Sequence, residues 1–265
     1  MKRVITLLFI MLLMSSYGNS KNLRAYFSYS LFNTPDNEPY METYLTINGA
    51  SIYYDQLEDG TFKGAVEIQV LFKIGDSIVN YAKYELSSPV VKDTSNVNQN
   101  MLDIQRYGLV EGDYNIEISL KDLNSEEKAM TSSDKFTIDF PEGVIQFSDI
   151  ELLTSFEQSD VQNSLYKNGY QLTPYVFNYF PLSMNTISFY GELYNTKDVL
   201  EDEAFLLSYY IRPFEAEKKL DQYIHRKRAN PNEVITILGS FDIGNLPSGN
   251  YLLVFEARDR NNALL

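Results

Sequence analysis

Apolar and polar residues alternate along most of this chain with a period of two. The clearest run is Gly64 to Lys73, where Val66, Ile68, Val70 and Phe72 share one face and Glu67, Gln69 and Lys73 the other. Successive side chains of a strand point to opposite faces, so the pattern predicts a strand with one side in a core. Further strands are predicted over Leu23 to Phe32, Tyr40 to Ile47, Ser77 to Leu86, Met101 to Tyr107 and Lys135 to Phe140. A second series covers Tyr170 to Phe180, Thr186 to Tyr194, Phe205 to Ile211, Leu220 to Arg228 and Glu233 to Ile243. Turn residues punctuate them: Asn48-Gly49 predicts a hairpin into Ser51 to Tyr54, Gly75-Asp76 another turn, and Pro141-Glu142-Gly143 a boundary. The polar stretch Glu157 to Gly169 has room for a short helix.

One stretch occurs twice. Leu109 to Ile118 returns as Leu246 to Phe255, each matched pair 137 positions apart, and the match runs on to Asp122 and Asp259. Both copies read as a Gly-containing turn, a Tyr (Tyr114, Tyr251), and then an alternating strand. A Tyr in that place begins strand F of an immunoglobulin-like sandwich, where its hydroxyl bonds back to the backbone and pins the corner. The expected fold is therefore all-β: two tandem immunoglobulin-like β-sandwiches, over residues 21–141 and 142–265. After Asp122 the first unit has one more strand, whereas after Asp259 only Arg260 to Leu265 remain. The second sandwich is thus expected to lack its closing strand. Either the chain is a fragment of a longer protein or a partner donates the strand.

Composition sharpens the compartment more than the function. Met1-Lys2-Arg3, the apolar stretch Val4 to Met14 and the small polar residues Ser15 to Ser20 have the plan of a secretory signal peptide, with cleavage after Gly18 or Ser20. The apolar stretch is too short to span a bilayer. With 0 Cys, thiol chemistry and lipid attachment at a Cys are excluded. Loss of Lys2 and Arg3 takes the formal net charge from −14 to −16, a surface that repels nucleic acid and anionic membrane. The expected location is the periplasm, the cell surface or the medium, and the expected partner is a protein, with a glycan as alternative.

The succession Ala25 to Tyr29, Pro39 to Leu45, Ser148 to Leu152 and Asn168-Gly169-Tyr170 resembles the N-terminal region of the Bacteroidetes proteins named for a GWxTD domain, and Leu246 to Asp259 is similar to the segment that follows there. The chain has 0 Trp, so the Gly-Trp-x-Thr-Asp motif itself is absent. The resemblance implies an exported protein with a further C-terminal portion, and it carries over no functional residue.

The chain offers little catalytic chemistry. His225 is the single histidine, so neither a multi-His metal site nor a Ser-His-Asp triad has other His to draw on. It lies in the basic run His225 to Arg228, which reads as a solvated strand end or as an anion-docking patch. Asp122 and Asn124, and equally Asp259 and Asn261, have spacing that suits calcium oxygen ligands or ordinary Asx turns. Glu126-Glu127 and Glu201-Asp202-Glu203 sit in polar turns, not at the two sides of a cleft that glycoside hydrolysis needs. No catalytic residue, cofactor or metal is expected.

The surplus is tyrosine, 21 residues. Tyr53-Tyr54 and Tyr209-Tyr210 are adjacent pairs, so within a strand one ring of each must leave the core. These four are the candidate binding surface, through sugar stacking or interface hot spots, unless they pack on the neighbouring domain or on a further portion of the chain. Function is expected to be that of an exported, non-catalytic interaction or scaffold protein. The alternatives are a carbohydrate-binding module and the accessory region of an enzyme whose catalytic part lies beyond residue 265.

Overall fold

The structure, a computed structural model, describes residues 21–265, so the signal peptide expected over residues 1–20 lies outside the described residues. Strands make up 53% of what is described, and the period of two is accordingly the dominant signal.

The N-terminal half contains β1 (Ala25–Phe32), β2 (Tyr40–Asn48), the two-residue β3 (Asp55–Gln56) and β4 (Phe62–Lys63), β5 (Ala65–Ile74), β6 (Ser77–Ser87), β7 (Asn100–Gly108), β8 (Gly112–Asp122) and β9 (Met130–Ile138). Two antiparallel sheets result, β1-β2-β7 and β6-β5-β8-β9, with β3 and β4 as a separate ribbon. Met41, Leu45, Ile47 and Met101 of the first sheet meet Val66, Ile68, Val70, Phe72, Ile116 and Ile118 of the second in one core. These are the inward halves of the alternating runs, and full burial of each such side chain contributes about 1.5–3 kcal/mol. Gly75, with φ 57°, closes the two-residue hairpin between Ile74 and Ser77 in the left-handed region that glycine enters without a Cβ penalty.

The C-terminal half contains β10 (Gln146–Phe147), β11 (Glu151–Gln158), β12 (Tyr166–Lys167), β13 (Tyr170–Pro174), β14 (Thr186–Tyr194), the short helix α1 (Thr196–Leu200), β15 (Phe205–Pro213), β16 (Ile224–Ala229), β17 (Val234–Asp242) and β18 (Tyr251–Arg258). On one edge of β14 lie β10 and β11, extended outward by β13 and β12, and on its other edge lies β17. The sheet β16-β15-β18 faces them, and Phe189, Leu193, Phe205, Leu207, Tyr209, Ile237 and Ala257 fill the core between.

Both corner tyrosines do what their position predicts. Tyr114 donates from its hydroxyl to the Val110 carbonyl at 2.8 Å, and Tyr251 to the Pro247 carbonyl at 2.8 Å. Beyond that they differ. Strand β8 lies between β5 and β9, whereas β18 pairs only with β15 among the described strands. After β18 the chain turns and returns as far as an isolated antiparallel bridge between Arg258 and Leu264.

Three expectations are corrected. Asn48-Gly49 makes no hairpin: the Asn48 side-chain Oδ1 accepts from Ala50 N at 3.0 Å and caps a 3-10 turn, so Tyr53 and Tyr54 follow in irregular chain. Glycine is needed there for close approach, since a Cβ would lie 2.2 Å from the Gln99 carbonyl oxygen. Glu157 to Gly169 forms no helix; instead Lys167 and Tyr170 flank a two-residue hairpin turn in which Asn168 (φ 47°) and Gly169 (φ 86°) both adopt left-handed backbone. Tyr170 to Phe180 does not take the place of β1 in the second half. Its strand stops at Pro174, and β11 occupies the position beside β14 that β1 has beside β2.

Candidate functional site

The most elaborate polar arrangement lies where the two halves meet, built on one local pattern used twice. Tyr40-Met41-Glu42-Thr43-Tyr44 in β2 and Tyr190-Gly191-Glu192-Leu193-Tyr194 in β14 both read Tyr-x-Glu-x-Tyr. Alternation puts the three residues of each on one face, opposite the core side chains Met41, Leu45 and Leu193. In each copy the second tyrosine donates to the glutamate before it: Tyr44 to Glu42 Oε1 at 3.0 Å, Tyr194 to Glu192 Oε2 at 2.5 Å. Tyr190 also donates to Glu192, as does Asn168 Nδ2 at 2.9 Å.

The hairpin turn at Asn168-Gly169 carries the link between halves. Lys167, 7% exposed, donates from Nζ to Glu42 Oε1 at 2.8 Å and to Glu151 Oε2 at 2.9 Å; both glutamates are 2% exposed. Arg106 of β7 forms a second ion pair with Glu42, and its Nη2 reaches the Ser164 and Tyr166 carbonyls at 3.2 Å each. The Lys167 ammonium also lies 3.8 Å from the centre of the Phe32 ring, a cation–π contact in a desolvated setting. Around this centre Phe32, Leu153, Leu172 and Tyr190 form an apolar cluster drawn from both halves. The end of β1 is tied in as well: Leu31 N donates to Asp149 Oδ2 at 2.8 Å and Asn33 N to the Tyr194 hydroxyl at 3.0 Å.

The electrostatics follow from this geometry. Burial opposes ionisation of Glu42, but Lys167 and Arg106 outweigh it and hold the carboxyl below its usual range. Among the described residues Glu151 has only Lys167 as a cationic partner, and it feels the Glu42 charge; burial dominates, and its carboxyl is pushed up to about 7. Burial and the Glu192 carboxylate raise the hydroxyls of Tyr190 and Tyr194 far above the ordinary tyrosine value, so both stay protonated donors. Each charged group is engaged by protein partners. The arrangement holds surfaces together and presents no reacting atom to a ligand.

The residues singled out from sequence lie elsewhere. Tyr53 and Tyr54 are half-buried: the Tyr53 hydroxyl accepts from Lys21 N at 3.0 Å, and the Tyr54 hydroxyl donates to the Gly49 carbonyl at 3.1 Å. Tyr209 and Tyr210 are 8% and 6% exposed, so neither offers an open ring. Tyr209 stacks on His225 with centroids 4.6 Å apart, and the Lys219 ammonium sits 4.0 Å over Tyr210, whose hydroxyl donates to Glu256 at 3.2 Å. A long amphipathic side chain has covered the ring expected to face solvent. Asp122 Oδ2 accepts from Tyr53 N at 2.7 Å and its Oδ1 from Asn124 N at 3.0 Å; Asp259 Oδ1 accepts from Asn261 N at 2.9 Å and Ala263 N at 2.7 Å. Both are Asx-type turns. No group of three or more His, Asp or Glu side chains positioned for a metal occurs among the described residues.

An aromatic-lined groove was not foreseen. Tyr26, Tyr175, Phe177, Tyr179 and Pro181 line a groove of about 730 Å³. Its rings meet edge to face, Tyr26–Phe177 at 67° and Tyr175–Phe177 at 62°, so they pack on one another and form no coplanar platform for a sugar. No helix among the described residues is long and apolar enough to cross a membrane. No protein-family model matches the chain, and no curated protein matches it.

Proposed function

We propose that the chain is an exported, non-catalytic scaffold of the bacterial cell envelope, built from two tandem immunoglobulin-like sandwiches, that engages a protein partner through strand edges and exposed aromatic side chains. The sandwich reading is supported by strand order, β1-β2-β7 against β6-β5-β8-β9 and then β11-β14-β17 against β16-β15-β18, and by a tyrosine corner in each half. Export is supported by the leader pattern and by the GWxTD-family resemblance. The observation that carries the scaffold reading is the junction itself. Glu42 from one half and Lys167 and Glu151 from the other are buried in a single hydrogen-bonded unit, with Arg106 closing it from the more exposed side, which ties together the surfaces that the two sandwiches present.

Differential scanning calorimetry tests this reading. A rigid two-sandwich body unfolds in one transition whose calorimetric and van't Hoff enthalpies agree. Two resolved transitions would overturn it. Fractionation of producing cells with N-terminal sequencing tests export: the expected mature chain begins at Asn19 or Lys21 outside the cytoplasm, and an intact Met1 in the cytoplasmic fraction would refute that.

A further inference from the structure

We propose that the free edge of β16 receives a short, acidic, extended segment of a partner polypeptide, which adds there as an antiparallel strand. This rests on the interaction reading above and names the edge and the chemistry of what docks on it.

The strand is internal to the chain: Leu220 to Tyr223 lead into it and Asn230 to Glu233 lead on to β17. It ends the sheet β16-β15-β18 on one side, and no strand among the described residues pairs with its far edge. The direction of its backbone groups follows from β15. The Ile211 carbonyl accepts from Leu220 N at 3.1 Å, so Ile211 and, by alternation, Tyr209, Leu207 and Phe205 turn their groups to the β16 side. Their partners are His225, Lys227 and Ala229. The N–H and C=O of Ile224, Arg226 and Arg228 therefore point outward, away from the sheet.

The charge sits on that same edge. Arg226-Lys227-Arg228 is the one place in the sequence with three consecutive cations, in a protein of net charge −14. All three are exposed, and none takes part in an ion pair among the described residues. The single carboxylate in the three strands, Glu256, is already held by Lys219 and Arg258. The corresponding strand of the first half is different: β6 beside β5 carries one charge of each sign, Lys83 and Glu85, and Lys83 is paired with Glu67.

Charge on a free edge ordinarily blunts it. Here it also discriminates. A second copy offering its own β16 would set like charges opposite one another, which is destabilising. An acidic chain meets complementary potential instead. Its length is limited as well. The acidic turn Glu201-Asp202-Glu203 lines the same cleft as Arg228, so attraction ends at that arginine. A long polyanion running past it meets the acidic body of the protein, whereas a short segment feels only charges within about 8–10 Å. The pattern follows from the pleat. Arg226 and Arg228 share a face about 6.6 Å apart. A polypeptide strand repeats its same-face side chains at that interval and brings amides for the outward N–H and C=O, so acidic residues at alternate positions meet both guanidiniums.

The probe is a fluorescein-labelled peptide of alternating glutamate and valine, about eight residues long, titrated into the full chain by fluorescence anisotropy. The matching lysine–valine peptide and polygalacturonate serve as comparisons. The expected result is saturable binding of the glutamate peptide that weakens with salt, with new hydrogen-exchange protection at the amides of Ile224, Arg226 and Arg228. Arg226→Glu with Arg228→Glu, both at exposed side chains, should weaken that peptide about tenfold and confer binding of the lysine peptide. If this pair fails to fold, Lys227→Glu alone should weaken the glutamate peptide several-fold. Equal binding of the lysine peptide to the unaltered chain, protection mapping elsewhere, or polygalacturonate displacing the peptide at equal charge concentration would overturn the proposal. So would outward amides already protected in the peptide-free chain. Calorimetric cooperativity does not involve this edge, so failure here and failure of the scaffold reading are separable.

Discussion

Lys167→Met keeps most of the side chain's length and apolar reach while deleting the ammonium between Glu42 and Glu151, which it contacts at 2.8 and 2.9 Å. Removing one partner of a buried ion pair costs about 3–5 kcal/mol, because the remaining charge is stranded in a poorly solvating interior. Here the two carboxylates fare differently. Glu42 keeps Arg106. Glu151 loses the Lys167 ammonium it pairs with, and its carboxyl, already pushed up to about 7, takes up a proton more readily still. Protonation limits the damage, so the loss at pH 8 should be about 3 kcal/mol. For a chain of this size that is a fall in Tm of about 6–12 °C.

The pH dependence is the sharper test. A carboxyl whose folded pKa exceeds its unfolded value binds protons more tightly when folded, so protonation stabilises the fold. For Glu151 the window runs from about 4.5 to about 7, and across it stability declines as pH rises, by at most about 3 kcal/mol. Glu42 has the opposite sign: its lowered carboxyl contributes stability above the usual carboxylate range, lost only in more acidic solution. The Lys167→Met penalty should therefore shrink markedly from pH 8 to pH 5, and Glu151→Gln should flatten the decline between those values. Circular-dichroism melts and urea titrations of the three proteins at pH 5, 6, 7 and 8 measure this. A Lys167→Met Tm within 2 °C of wild type at pH 8, or an equal penalty at both ends, would refute the reasoning (that threshold is about 0.5–1 kcal/mol).

Two further outcomes follow. Tyr114→Phe and Tyr251→Phe each remove one corner hydrogen bond of 2.8 Å, so urea titration should show a loss of about 1 kcal/mol for the buried Tyr114 and less for the half-exposed Tyr251. Gly191→Ala would set a Cβ 2.5 Å from the Phe255 ring, and the overpacking should lower stability by about 1–3 kcal/mol, with Phe255→Leu in the same chain recovering part of it.

Strands and corners were legible because alternation and a Tyr after a Gly turn are local. Asn-Gly was ambiguous. At 168–169 it makes the hairpin turn it favours, while at 48–49 the Asn48 side chain captures Ala50 N and packing against Gln99 decides the path. The junction was invisible to a period-two reading, which assigns Glu42 and Glu192 to a solvated face. In β2 and β14 both faces are covered, one by the core and one by the other half, so those positions are buried too. The repeated Tyr-x-Glu-x-Tyr was the available signal, a carboxylate with two same-face phenols in each strand. Tyr209 and Tyr210 misled for a related reason: alternation gives the direction of a ring but not whether a lysine lies across it.

The order of the junction residues along the chain has a consequence for how the molecule is made. Glu42 and Arg106 belong wholly to the first-synthesised half, whereas Lys167 comes 125 positions after Glu42. A polypeptide emerging N-terminus first completes the socket, with its carboxylate already neutralised by arginine, before the hairpin that plugs it exists. Assembly is thereby vectorial: the early half can wait without a bare buried charge, and the arrival of a single turn locks the pair.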